Sequence, residues 1–123
     1  MSEEISGLPP QVQERLLRLQ QLQQTLQNVR SQKQQLELGL TEVEQAFEEL
    51  GKLGDDGVIY KSIGALLVSS EKQKVILELG ERRELLKTRI GVLKKQEERL
   101  GTQVKDLQMK LQQDLRPIVP EAP

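Results

Sequence analysis

The sequence predicts a mainly α chain: an antiparallel coiled-coil helical hairpin with a β-hairpin inserted between its two long helices. Three observations carry this expectation. Ala, Glu, Lys, Leu and Arg fill 58 of 123 positions and Gln another 17, a composition of strong helix formers. All five prolines lie near the ends, at Pro9, Pro10, Pro117, Pro120 and Pro123, so nothing between residues 11 and 116 forbids long helices. Two runs of apolar residues at alternating spacings of three and four flank one short segment of different character.

Helix 1 is read over residues 10–50. Its seam is Leu19, Leu22, Leu26, Val29, Lys33, Leu36, Leu40, Val43, Phe47 and Leu50, apolar at every position except Lys33. Helix 2 is read over residues 71–115, with a seam of Ile76, Leu79, Arg83, Leu86, Ile90, Leu93, Glu97, Leu100, Val104, Leu107 and Leu111. A mean period of 3.5 residues keeps such a seam turned toward a partner helix in a left-handed supercoil. The simplest partner for each seam is the other, folded back across the connector. Pairing Leu50 with Ile76 then sets every later layer without insertion, through Leu40 with Leu86 and Leu26 with Leu100 to Leu19 with Leu107. In this register Arg83 faces Val43, Lys33 faces Leu93 and Glu97 faces Val29. Lys33 and Glu97 fall in adjacent layers and are expected to pair diagonally, so that Lys33, Arg83 and Glu97 help to fix the register.

Between the helices, residues 51–70 are read as a loop and a β-hairpin that serves oligomerisation. Gly51, Gly54 and Gly57 with Asp55 and Asp56 have loop composition, and Gly51 suits the position after a helix C-terminus. The segment from Val58, Ile59 and Tyr60 through Ile63, Gly64, Leu66, Leu67 and Val68 is rich in β-branched and aromatic residues. Gly64-Ala65 matches a two-residue type II′ turn, which sets Ile63 opposite Leu66, Lys61 opposite Val68 and Ile59 opposite Ser70. One face is then largely apolar. Ser70 with Gln73 reads as a capping box that starts helix 2. A lone two-stranded hairpin is marginal in water and leaves two open edges, so this one is expected to pair edge to edge with hairpins of other subunits. Residues 1–9 are read as a flexible N-terminal tip and 116–123 as a flexible, proline-containing tail.

Composition excludes much chemistry. With no Cys and no His, the chain has no material for disulfides, thiol catalysis or the commonest metal sites. Glu48-Glu49 and Asp55-Asp56 do not make a hydrolytic pair or a metal site, since helix neighbours point apart and the loop pair lacks further spaced oxygen ligands. No catalytic residue, metal or cofactor is assigned. A net charge of -1 with both signs interspersed gives no basic stripe for nucleic acid and no polybasic patch for lipid. No run approaches a membrane span, and Met-Ser-Glu-Glu lacks the features of a signal peptide, so a cytoplasmic protein with protein partners is expected. Glu14, Arg15, Arg18 and the charges over 97–99 and 105–110 are read as a solvated face.

Several segments together resemble one known family. Leu8-Pro9-Pro10-Gln11-Val12-Gln13 opens a Gln-rich helix, Asp55-Asp56 precedes Val58-Ile59-Tyr60-Lys61-Ser62-Ile63-Gly64 and Leu66-Leu67-Val68, and Leu115-Arg116-Pro117 closes the helical region. The chain resembles the β class of prefoldin subunits, most closely the archaeal ones, and the Tyr-Lys-x-Ile-Gly segment is the most specific part of the likeness. One strand region, not two, separates the helices, as in the β class. The resemblance implies a heterohexamer of two α-class and four β-class subunits, with hairpins joined into β-barrels and six coiled-coil tentacles. It further implies an ATP-independent holdase that captures non-native client proteins at the tentacle tips and passes them to a group II chaperonin. The absence of a phosphate-binding loop agrees with nucleotide independence.

The hairpin register gathers apolar residues at the tip beyond those the seam uses. Ile5, Leu8, Val12, Leu16, Leu17, Leu111, Leu115, Ile118 and Val119 are the candidate client or chaperonin contacts. Leu16 and Leu111 equally suit a coiled coil that simply continues, whereas Ile118 and Val119 lie between prolines and cannot be seam residues. The competing reading is a coiled-coil scaffold or tether without chaperone activity, which gives no role to sticky strands or apolar ends. A nucleic-acid-binding arm would need a basic face.

Overall fold

The computed structural model describes residues 7–116. Helix α1 spans Pro10–Lys52, strand β1 Ile59–Ile63, strand β2 Leu66–Ser70 and helix α2 Lys72–Leu115. Two long helices thus enclose a two-stranded antiparallel hairpin, the predicted order. The chain divides into two compact units, one of Met1–Gln32 with Leu93–Pro123 and one of Lys33–Val92.

Proline starts α1. Pro10 sits in the first helical position, where its fixed φ fits and its missing N–H costs nothing, while the Pro9 carbonyl accepts from the amides of Val12 and Gln13 at 3.0 and 3.1 Å. The Gln13 side-chain amide donates back to the Leu8 carbonyl at 2.7 Å and fixes the approach of the chain. At the other end α1 continues through Gly51 to Lys52, so Gly51 is not the terminator that its composition suggested. Glycine permits a helix end but does not impose one, and nothing before Leu53 breaks the pattern.

Every predicted seam position on both helices is buried or half-buried. Off the seam, Leu17, Leu38, Leu77, Leu85, Val92 and Met109 are exposed, while Val12 is buried and Leu16, Ala46, Val75 and Leu115 are half-buried. The heptad spacing therefore determines what is covered. In the first unit Arg15 meets Asp114 and Arg30 lies 3.9 Å from Glu97, so rising numbers on α1 meet falling numbers on α2. In the second unit the same sense holds, with Gly39 beside Leu86 and Arg83 over Phe47. Both units are antiparallel pairs.

Arg83 occupies a seam position where an apolar side chain would pack. Its guanidinium lies 4.6 Å from the Phe47 ring centre, and its Nε is buried with no hydrogen-bond partner. The aliphatic stem fills the seam while the planar cation covers the ring face, which compensates part of the lost hydration. Glu97, the second polar seam residue, stays half-buried within reach of Arg30.

The hairpin pairs as the turn chemistry predicts: Ile59 with Ser70, Lys61 with Val68 and Ile63 with Leu66. Gly64 has φ 57°, and no non-glycine described residue has positive φ, so Ala65 keeps an ordinary conformation, as a type II′ turn requires. Helix α2 begins at Lys72, one residue later than expected, with the Glu71 carbonyl accepting from Val75 N–H at 3.1 Å. Ser70 is therefore not the cap residue of a Ser70/Gln73 box. It is held as the last strand residue opposite Ile59.

A methyl group added at Gly91 would meet nothing within 4 Å, whereas Leu86 is buried and packs against Gly39. Gly91→Ala is expected to raise stability by about 0.5–1 kcal/mol through helix propensity alone. Leu86→Ala is expected to cost about 2–5 kcal/mol. Urea unfolding followed by circular dichroism checks both, and a destabilising Gly91→Ala would mean that this open face is occupied.

Candidate functional surfaces

Two regions concentrate apolar side chains, one exposed and one clustered at a helix end. The first is the hairpin. Ile59 is buried, but Val58, Tyr60, Ile63, Leu66, Leu67 and Val68 are all exposed, Leu67 at 73%. Ile59, Lys61, Ile63, Leu66 and Val68 share one strand face, while Tyr60 and Leu67 lie on the other. The exposed apolar surface thus lies on both faces, not on one as the alternation alone suggested. Each strand also has one unpaired edge.

Two lysines absent from the sequence-based candidates fix this region, one joining the hairpin to α2 and one joining the two helix ends. Lys61 extends from β1 and donates to a Glu78 carboxylate oxygen at 2.6 Å, so the strand face that buries Ile59 is turned toward the first turns of α2. Lys72, at the start of α2, donates to the Leu53 carbonyl at 2.7 Å and lies 3.9 Å from Asp55. That contact ties the end of α1 to the start of α2 beneath the strands. The Lys72 side chain is 15% exposed, so its stem is packed as well as its ammonium paired. The sequence signal for Lys61 was its place on an otherwise apolar strand face. The partner, Glu78, depends on the angle between hairpin and helix, which no spacing encodes.

The second region is the end of the first unit, where Val12, Leu107 and Leu111 form a buried cluster. Leu8, Leu16, Leu19, Leu22 and Leu115 pack against it, half-buried. Val12 and Leu111, each 4% exposed, pack into the seam and present little surface in this conformation. Val12 lies one heptad before Leu19, and Leu111 continues the α2 spacing, so the coiled coil runs further than the apolar pattern of helix 1 showed. Leu17, at 54%, is the exposed member of the candidate set, with Met109 a further exposed apolar side chain in the same unit. Ile5, Ile118 and Val119 lie outside the described residues.

Arg15 also departs from the expectation of a solvated face. It reaches across to Asp114, both side chains being only 26% exposed. Among the described residues no group of three acidic side chains could hold a metal, and no helix is long and apolar enough to cross a membrane. What these surfaces offer is apolar contact and open strand edges.

Comparison with known proteins gives a single answer. A family model described as prefoldin subunit matches residues 13–117. The chain is 43% identical over 113 residues to the prefoldin subunit beta of Pyrococcus furiosus, spanning 92% of this chain and 97% of that one. It is 47% identical over 110 residues to the prefoldin subunit beta of Archaeoglobus fulgidus, with 89% and 95% covered. Among solved structures, the prefoldin beta subunit from Thermococcus strain KS-1 matches with a TM-score of 0.82 at 43% identity, over 90% of this chain and 97% of that one. The beta2 subunit from the same strain matches with a TM-score of 0.68 at 31% identity, over 74% and 97%.

The Lys61–Glu78 pair gives a pH test. The hydrogen bond from Lys61, aided by the charges of Lys61 and Lys74, lowers the Glu78 pKa below its ordinary 4.5 against a smaller opposing desolvation. A carboxylate with a depressed folded-state pKa contributes its stabilisation above 4.5 and loses it as pH falls through the lowered value. Hairpin amides are therefore expected to lose hydrogen-exchange protection, after correction for intrinsic rates, as pH drops below 4.5, and Glu78→Gln should flatten that dependence. A dependence unchanged in Glu78→Gln would assign it to another group.

Proposed function

Because the chain belongs to the prefoldin subunit family, whose members are chaperone subunits that assemble into hetero-oligomers and are not enzymes, we propose that it is a β-class subunit of an ATP-independent holdase. In this reading four copies join two α-class subunits through their β-hairpins in the cytoplasm. The complex captures non-native proteins at the coiled-coil ends and delivers them to a group II chaperonin.

The observation that carries the proposal is the apolar exposure of the hairpin on both faces. A strand pair showing Tyr60 and Leu67 on one side and Ile63 and Leu66 on the other gains by being enclosed, and its free edges supply the hydrogen bonds for enclosure by other strands. Burying apolar area at roughly 25 cal/mol per Å² makes such an assembly favourable without any ligand. A spacer has no use for these side chains, which disfavours a tether.

Client capture is placed at the opposite ends of the helices. Leu8, Leu16, Leu17 and Leu115 carry it among the described residues, together with the expected Ile5, Ile118 and Val119. Contacts of this kind are individually weak and unselective. Several arms in one particle raise the effective concentration of sites and convert weak grips into useful holding. Val58, Ile59, Tyr60, Ile63, Gly64, Leu66, Leu67 and Val68 serve assembly in the same reading, while Lys33, Arg83 and Glu97 set the register.

A chain ending after Gln113, or one carrying Leu17→Ser, should still enter the hetero-oligomer but suppress aggregation of denatured lysozyme less than the full chain, with or without ATP. Light scattering at equal particle concentration reads the difference. Equal suppression by the truncated complex would remove client capture from this end.

A further inference from the structure

We propose that Arg15 and Asp114 form a clasp over a concealed apolar site, which opens to receive apolar segments of non-native polypeptides; the proposal rests on the holdase reading and names how its binding end is controlled. Continued one step beyond the apolar pattern, the heptads of α1 place Arg15 and Val12 on the seam, and those of α2 place Leu111 and Asp114 there. The final layers therefore each set a charged residue against an apolar one, Arg15 facing Leu111 and Val12 facing Asp114, and the two charges meet diagonally between them.

The two pairs behave differently. Val12 and Leu111 are as well covered as any residue in this unit, at 4% each, with Leu8, Leu16 and Leu115 around them. Arg15 and Asp114 bridge the helices while a quarter of each side chain remains in solvent. An ion pair in such a place is screened by salt and competes with hydration, so it holds the end closed far less firmly than an apolar layer would. Helix ends are also where local opening is least costly.

Parting the clasp uncovers Val12 and Leu111 and joins them to Leu8, Leu16 and Leu115. The result is one apolar surface on two helix ends, already shaped to accept helical or extended apolar side chains in place of the partner helix. The diagonal polar bridge stands at two seam positions where apolar side chains would seal the end permanently. This assigns Arg15 and Asp114 a purpose that a solvated face lacks.

The chain has no cysteine, so Arg15→Cys with Asp114→Cys introduces a unique thiol pair that a short bis-maleimide can link in the assembled hetero-oligomer. The probe is chemically denatured lysozyme, read by light scattering, with anilinonaphthalenesulfonate fluorescence as a second readout of exposed apolar surface. The linked complex is expected to lose at least about fivefold of the capture shown by the same complex unlinked. Arg15→Glu, which sets like charges together, should raise dye binding and capture, and the exchanged pair Arg15→Asp with Asp114→Arg should restore wild-type values. Undiminished capture by the linked complex, or an Arg15→Glu complex no different from the exchanged pair, would overturn the clasp and leave the holdase reading standing. Failure of the wild-type complex to delay aggregation would overturn the holdase reading, and the clasp with it.

Discussion

The structure depends on a single narrow interaction, the apolar seam between two antiparallel helices. Each helix offers one residue in every three or four, and the side chains on the far faces have nothing to pack against. Among the described residues no side chain falls below 2% exposure, even at the centre of the seam. A two-helix layer cannot enclose a residue from all sides. Stability within the chain must come from repetition along the seam.

The hairpin sits between the two helices. The two strands continue the reversal of direction that the helices need, with Gly64 supplying the positive φ at the turn. Lys61 ties the hairpin to Glu78 of α2, and Lys72 joins the two helix ends through the Leu53 carbonyl. Both contacts use a charged head at the end of a flexible stem, and neither spends an apolar side chain of the strands. Tyr60, Leu66 and Leu67 are left exposed. Charge thus attaches the hairpin to its own helix, and its apolar side chains stay exposed.

Much of this was legible in the sequence, for reasons that particular residues make plain. Leu26, Val43, Leu86 and Val104 could be placed on the seam because a 3.5-residue period is a one-dimensional signal. The strand register followed from Gly64-Ala65, because a two-residue turn leaves only one pairing. Features that depend on three-dimensional angles were not legible. Glu78 could not be matched to Lys61 without the tilt of the strands, and Ser70 read as a cap because its strand pairing with Ile59 was not weighed against it. Arg15 and Asp114 were missed for another reason: a seam identified by its apolar members stops where charged residues occupy it. Counting the period onward, regardless of residue type, reaches both, and it also reaches Val12.

The account stands on the claim that the hairpin builds a shared body with other subunits while the helix ends act on clients. Native mass spectrometry of the complex drawn from its own cell extract by a tagged copy of this chain tests that claim most directly. The account predicts a particle of four copies with two copies of a somewhat longer partner that also carries two helices around strands. A monomer or simple dimer, with Tyr60 and Leu67 left uncovered, would contradict it.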